Sequence, residues 1–174
     1  MRVAFVTATA LAAIFATAAA ADDYPPRKAG LWEVAVHNQS VPNITMKMCI
    51  DAETDQLFHK FSGDIRSKHC GKNDTKTVGN VVTSESDCTI GGTKVDSVAV
   101  ATFTGDSAYH VDIKTHFDPP KLGHSDLAMS QDAKWVSECP ADMKPGDFEM
   151  GHGIKINIKT IERLRSLLPG HSDE

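Results

Sequence analysis

The stretch from Lys94 to Phe117 constrains the fold most, because two runs of alternating residues flank a turn sequence within it. A two-residue turn at Gly105 and Asp106 would join these runs as an antiparallel hairpin. Side chains alternate along a strand, so this register predicts one apolar face and one mostly polar face. The apolar face would pair Thr102 with Tyr109, Val100 with Val111 and Val98 with Ile113. The opposite face would carry Ala99, Ala101, His110, Asp112, Lys114 and His116.

Similar alternation predicts further strands on both sides of this hairpin. A first strand covers 30–36 and a second covers 43–50, with Trp32, Val34 and Val36 on one face of the first and Ile44, Met46, Met48 and Ile50 on one face of the second. A last strand covers 127–136, with Leu127, Met129, Ala133 and Trp135 on one face. With two strands around Cys70 and Cys88, the count is about seven. The predicted fold class is mainly β (α+β), an antiparallel meander that forms a curved sheet or a partly open barrel.

Two segments change to helical spacing. Asp51 is placed to cap a short helix over 52–61, which Gly63 would end. A helix this short is stable only when packed, so we expect it to lie on the sheet. Near the C-terminus, Ile161, Leu164 and Leu168 predict an amphipathic helix over about 159–168. A flexible linker rich in Gly, Pro and charge, over 141–153, would precede it.

The first 21 residues have the pattern of a secretory signal peptide: Arg2, an apolar run and small residues up to Ala21. Cleavage near Ala21 predicts a periplasmic protein with one β domain over 22–140, followed by the linker and helix over 141–174. No Cys follows the cut and no later run is long enough to cross a bilayer, so no stable membrane anchor is predicted. Removing Arg2 changes the formal net charge from −5 to −6, which disfavours nucleic acid as a partner.

The four cysteines, an even number in a chain predicted to be exported, indicate two disulfides. Gly79 lies midway between Cys70 and Cys88, and a three-residue loop at 78–80 would place these two cysteines opposite each other. Cys49 would then pair with Cys139. The main alternative joins Cys49 to Cys70 across the predicted helix.

No residue pattern points to a catalytic site, a cofactor or a metal. His110 and His116 would lie about 20 Å apart along one strand, too far to share an ion. The sequence has no Cys-x-x-Cys, no nucleophile elbow, no His-Glu-x-x-His and no phosphate-binding glycine loop. An enzyme is therefore not favoured. Two tryptophans and two methionines on predicted inward faces are candidates to line a cavity, although they would also serve as ordinary core: Trp32, Met46, Met48 and Trp135.

Several short motifs resemble a family of exported bacterial proteins, domain of unknown function family 3617. The motifs are Gly30-Leu31-Trp32-Glu33, Met48-Cys49-Ile50-Asp51 before a helix, the mid-chain Cys70 and Cys88, and Lys134-Trp135 with Glu138-Cys139-Pro140. Asp51 stands where the family usually has Thr, which keeps a capping residue. The resemblance covers about 28–140 and implies an extracytoplasmic location. It implies no activity.

These observations favour a non-catalytic binding or interaction module for a small apolar ligand, a peptide or an envelope partner. A structural envelope-maintenance protein without a ligand is the first alternative, and a hydrolase is the second. A cavity on the concave face of the sheet would favour binding, whereas a face fully covered by the helix would remove that reading. A hydrolase would need a His within hydrogen-bond reach of a Ser or a carboxylate in a cleft, and the candidates are His37, His59, His69, His110, His116 and His124.

Overall fold

The structure is a computed structural model that describes residues 24–38 and 43–167, without the side chains of Ile65 and His152. The predicted signal peptide and the predicted helix end at Leu168 lie outside these residues. In chain order, the elements are β1 (Gly30–Asn38), β2 (Ile44–Ile50), α1 (Ala52–His69), β3 (Cys70–Val78), β4 (Val81–Ile90), β5 (Thr93–Thr104), β6 (Ala108–Lys121), β7 (His124–Ser137), β8 (Asp147–Met150), β9 (Ile154–Asn157) and α2 (Ile158–Ser166). A single 3-10 turn, Gly151–Gly153, joins β8 to β9.

The strands form one open antiparallel sheet in the order β3-β4-β5-β6-β7-β1-β2-β8-β9. The predicted class is confirmed: a mainly β meander with a helix after strand two and a helix near the C-terminus. The described residues form nine strands instead of the predicted seven or so, because β8 lies in the segment predicted as a linker and β9 follows it. Each of these strands has four residues, and the Ile154 and Ile156 alternation in β9 is too short to mark a strand by itself.

The sheet curves around α1. This helix contacts β2 and also contacts β3 and β4, although four strands separate β2 from β4 in the sheet. Neighbouring strands lie about 4.8 Å apart, so β2 and β4 are about 24 Å apart across a flat sheet, and the 18 residues of α1 span about 27 Å, enough to reach both along the helix. The sheet bends towards the helix, because the Trp32 and Tyr109 ring centroids are only 5.8 Å apart although β7 lies between their strands.

The core fills the space between α1 and the concave face. One cluster contains Trp32, Val34, Ile50 and Ala133, with Phe58 of α1 packed against it. A second cluster, from β4 and β5, contains Val82, Ala101 and Phe103. Tyr109 of β6 packs against both, so the two clusters meet beneath the helix.

The central hairpin exists, but its predicted register is wrong by one residue. Thr104 pairs with Ala108 around a three-residue loop, so Phe103 lies opposite Tyr109 and Ala101 opposite Val111. Val98 and Val100, predicted to face inward, are 42% and 36% exposed. The observed register buries Phe103, whose large aromatic surface outweighs that of the two valines in deciding which face turns inward.

The β3–β4 hairpin has a shorter turn than predicted, and a β-bulge restores the predicted pairing of its two cysteines. Val78 pairs with Val81 around a two-residue turn, not the predicted three-residue loop. The register then shifts by one residue at Gly71, and this shift brings Cys70 opposite Cys88.

Helix α1 begins as predicted and ends later. Asp51 accepts a hydrogen bond from the backbone N–H of Thr54, and the Thr54 hydroxyl binds the Asp51 backbone in return, forming a capping box. The predicted end at Gly63 is wrong, because the helix continues to His69. Its last turn carries Arg66, Lys68 and His69, whose positive charge suits the C-terminal end of a helix dipole.

Two glycines give opposite predictions for the same substitution. Gly30 has a φ of +133°, and a Cβ there would clash with the Ser137 carbonyl and the Trp135 indole, so Gly30→Ala is expected to destabilise the fold by roughly 1–3 kcal/mol. Gly63 lies within α1 with no atom within 4 Å of a Cβ, so Gly63→Ala is expected to stabilise it by about 0.5–1 kcal/mol. Urea unfolding of both variants measures the two signs, and a stabilised Gly30→Ala protein would contradict this account.

Candidate functional site

The segment before β1 crosses the concave side and ties α1 to the sheet. The Tyr24 ring stacks on the His59 ring of α1, with 4.4 Å between centroids, and its hydroxyl lies 3.1 Å from the Ser84 hydroxyl of β4. Further along, the backbone N–H of Lys28 donates to the Asp106 carbonyl in the β5–β6 loop at 2.8 Å. The N-terminal strap, residues 24–28, therefore closes one side of the space under the helix.

A buried ion pair anchors this strap. The Arg27 guanidinium donates to Asp55 of α1 through Nε, at 2.8 Å, and through Nη2, and its Nη1 donates to the Tyr109 hydroxyl at 3.2 Å. The two charged side chains are only 6% and 8% exposed. Burial by itself would raise the pKa of Asp55, but a hydrogen bond from His59 and the charge of Arg27 outweigh it, so the pKa is lowered. The pair is therefore ionised inside the protein.

A cavity of about 180 Å³ remains between the strap, α1 and the concave face. Its apolar wall comes from β4, β5 and β6 and consists of Val82, Ala99, Ala101, Phe103 and Val111. Its polar groups come from the strap, the helix and three strands: Tyr24, Arg27, His59, Ser84, Tyr109 and Gln131. An apolar wall with a few convergent polar groups is the usual composition of a small-molecule site.

The family described as "Protein of unknown function (DUF3617)" matches residues 27–139. The chain belongs to this family. No curated protein and no solved structure matches it. The matched region begins at Arg27 and ends at Cys139, so it contains the buried ion pair and every cavity residue except Tyr24.

In this DUF3617 domain, the four side chains predicted from the sequence to line a cavity lie beside the cavity just described, not around it. Trp32 is fully buried in the first core cluster, and Met46, Met48 and Trp135 pack against that cluster. Both indoles are hydrogen-bonded: Trp32 donates to the Lys28 carbonyl and Trp135 to the Ala29 carbonyl. A ligand-lining role for these four stays a prediction.

Most of the residues that surround the cavity were not predicted from the sequence to do so. The sequence did contain one indication of the site: Asp55 and His59 are spaced i,i+4, which places both side chains on one face of α1. Arg27 lies in the strap, where the sequence has no periodicity. Nothing in the sequence indicates that it meets Asp55, 28 positions away.

Tyr109 and Val111 were predicted to point inward, and both line the cavity. Ala99 and Ala101 were predicted on the opposite face, and that prediction is wrong, because they line the cavity as well.

The DUF3617 domain has two disulfides in the structure, Cys49–Cys139 and Cys70–Cys88, which is the pairing that the sequence favours. The first joins β2 to the segment just after β7, and the second joins β3 to β4. No helix in the described ranges is long and apolar enough to cross a membrane.

Histidine–carboxylate pairs lie on the other, convex face of the sheet. His110 binds Asp132 at 2.7 Å, and this hydrogen bond raises the pKa of His110. His116 binds Asp126 at 2.9 Å, which likewise raises the pKa of His116. All four side chains are well exposed. Within the described part of the chain, no three His, Cys, Asp or Glu side chains are arranged to hold a metal ion.

Proposed function

We propose that this DUF3617 protein is an exported binding protein whose concave cavity holds a small, largely apolar ligand. The observation that carries the proposal is the space of about 180 Å³ that α1 and the strap leave unfilled against the sheet. An apolar cavity of about 150 Å³ is large enough for benzene, so this one suits a single ring or a branched chain of similar size.

The composition of the cavity wall supports binding over a purely structural role. A core that serves only packing is filled to high density with apolar side chains. Here the Ser84 and Tyr24 hydroxyls and the Gln131 amide lie beside Val82 and Val111. The two hydroxyls bind each other, whereas the half-buried Gln131 amide has no hydrogen-bond partner among the described residues, and a ligand with a matching polar group would provide one.

Export is supported by two features of the chain. The N-terminal pattern up to Ala21 is that of a signal peptide, and two disulfides suit an oxidising compartment. Mass spectrometry of unreduced protein from the periplasm of a producing bacterium is expected to give the mass of residues 22–174 with four hydrogens fewer than the reduced chain. A mass that includes the first 21 residues, or four free thiols, would contradict export.

Ligand binding is tested by enlarging a cavity-lining side chain so that it occupies the space of the ligand. The purified, oxidised protein is expected to bind toluene or benzyl alcohol, with shifts confined to the methyl resonances of Val82, Ala99, Ala101 and Val111. Ala99→Leu is expected to weaken this binding at least about tenfold, because the new side chain and the probe cannot occupy the same volume.

The matched control is Ala128→Leu, the same substitution at an exposed position on β7. It adds the same apolar surface outside the cavity, so probe binding should not change. The proposal fails if neither probe shifts these methyl groups up to its solubility limit. It also fails if the two leucine variants bind the probes equally well.

A further inference from the structure

We infer that the cavity selects an uncharged ligand, built from one ring or a compact chain that carries a single oxygen. This inference rests on the proposed binding function and adds the chemical class of the ligand. It follows from the charge balance of the wall, from its unused hydrogen-bonding groups and from its volume.

The charge balance of the wall is close to zero. Among the described residues, Arg27 is the one permanently charged side chain that lines the cavity, and Asp55 neutralises it. Two of its N–H groups point at that carboxylate and a third donates to Tyr109, so the guanidinium is largely committed. An anionic ligand would have to compete with Asp55, and a cationic ligand would meet no unpaired acid. In either case a charge would be desolvated without a counter-ion, which costs far more than burying a neutral group.

Hydrogen-bonding capacity is nevertheless present on the β7 side of the cavity, three strand positions from Ser84 of β4. Gln131 lines it from β7, and among the described residues none donates to or accepts from its side-chain amide. The Tyr24 and Ser84 hydroxyls bind each other, and Ser84 also binds the Thr75 hydroxyl, so these groups already have partners. The Gln131 amide is therefore the group that a hydroxyl or carbonyl oxygen on the ligand would bind.

Volume limits the rest of the ligand. The cavity of about 180 Å³ is slightly larger than the cavity of about 150 Å³ that holds benzene. The difference leaves room for only one or two further heavy atoms. A ring with a one-carbon substituent that bears oxygen fits these limits, whereas a lipid chain or a peptide does not. The occupant class is therefore a small neutral alcohol, aldehyde or ketone with an apolar body.

Four probes of nearly equal shape separate these requirements: benzyl alcohol, toluene, benzoate and benzylamine, each titrated at pH 8 into the wild-type protein and followed by the cavity methyl resonances. Benzyl alcohol is expected to bind most tightly. Toluene should bind about 2–12-fold more weakly, the usual value of one neutral hydrogen bond. Benzoate should bind at least about 30-fold more weakly than benzyl alcohol, and benzylamine mostly carries its charge at this pH and should also be much weaker.

Gln131→Leu identifies the hydrogen-bonding partner, because it removes the amide while keeping a similar side-chain volume. The variant is expected to bind benzyl alcohol no better than toluene and to bind toluene at least as well as wild type does. Tight binding of benzoate or benzylamine, or equal binding of toluene and benzyl alcohol by wild type, would overturn this inference and leave the binding function standing. Failure of all four probes would overturn the proposed function as well.

Discussion

Asp55→Asn is expected to destabilise the protein by about 3–5 kcal/mol, because it leaves the buried Arg27 charge without its counter-ion. For a chain of this size, the loss corresponds to a fall in melting temperature of roughly 10 °C or more. Thermal and urea unfolding at pH 7 measure it. Asp64→Asn on the same helix is the matched control: its partner Arg165 forms a more exposed ion pair, and such pairs contribute about 0–1 kcal/mol.

A double variant separates loss of the pair from loss of the charge. Arg27→Met with Asp55→Leu replaces both groups by apolar side chains of similar size, and such replacements are often neutral or stabilising. We expect the double variant to be more stable than Asp55→Asn alone. If it is instead the less stable of the two, Arg27 holds the strap in place through its contacts with Tyr109 and Trp32 more than through its charge.

The pH dependence of stability has a definite sign at this site. The pKa of Asp55 is lower in the folded protein than in the unfolded chain, so the folded state binds fewer protons at this carboxyl. Its contribution is fully present above the usual pKa of an aspartate, about 3.9, and is lost as the pH falls through the lower folded value. Asp55→Asn should therefore flatten the acid limb of the wild-type stability profile below about pH 4.

Removing the Cys49–Cys139 disulfide is the second substitution expected to lower the stability of the protein strongly. The bridge closes a loop of 90 residues, whereas Cys70–Cys88 closes one of 18. The loop-entropy relation gives about 4–5 kcal/mol for the first and about 3 kcal/mol for the second. The Cys49→Ala/Cys139→Ala protein should accordingly melt roughly 10–15 °C below wild type, and Cys70→Ala/Cys88→Ala should lose less.

The long-range bridge also affects the last two strands. The Gly146 backbone N–H donates to the Cys49 carbonyl at 2.8 Å, next to the start of β8, and β8 pairs with β2. Hydrogen exchange should therefore speed up in β8 and β9 when Cys49 and Cys139 are replaced, and much less when Cys70 and Cys88 are replaced. Equal melting temperatures and equal exchange for the two alanine pairs would contradict the entropic account.

Local patterns in the sequence determined the elements of this protein. Alternation over 30–36, 43–50 and 127–136 predicted β1, β2 and β7, because a half-buried strand must present apolar side chains at every second position. The residues predicted on the apolar faces are buried or half-buried, except Ile44, which is 46% exposed. Asp51 predicted the start of α1, since a capping carboxylate acts within one turn. The DUF3617 resemblance was readable from short motifs, and one of them contains Gly30, where the chain passes too close to Trp135 for any side chain.

Tertiary packing decided what local rules leave open. In the central hairpin, both registers satisfy alternation, and burial of Phe103 beneath the helix chose between them. Gly63 weakens a helix without ending it, so contacts of α1 with the sheet and with α2 carried the helix to His69. The candidate site depends wholly on this level, because its residues come from four separate parts of the chain: the strap with Tyr24 and Arg27, α1 with Asp55, β6 with Tyr109 and β7 with Gln131. Their meeting point is set by the curvature of the sheet around one helix, which no short stretch of sequence encodes.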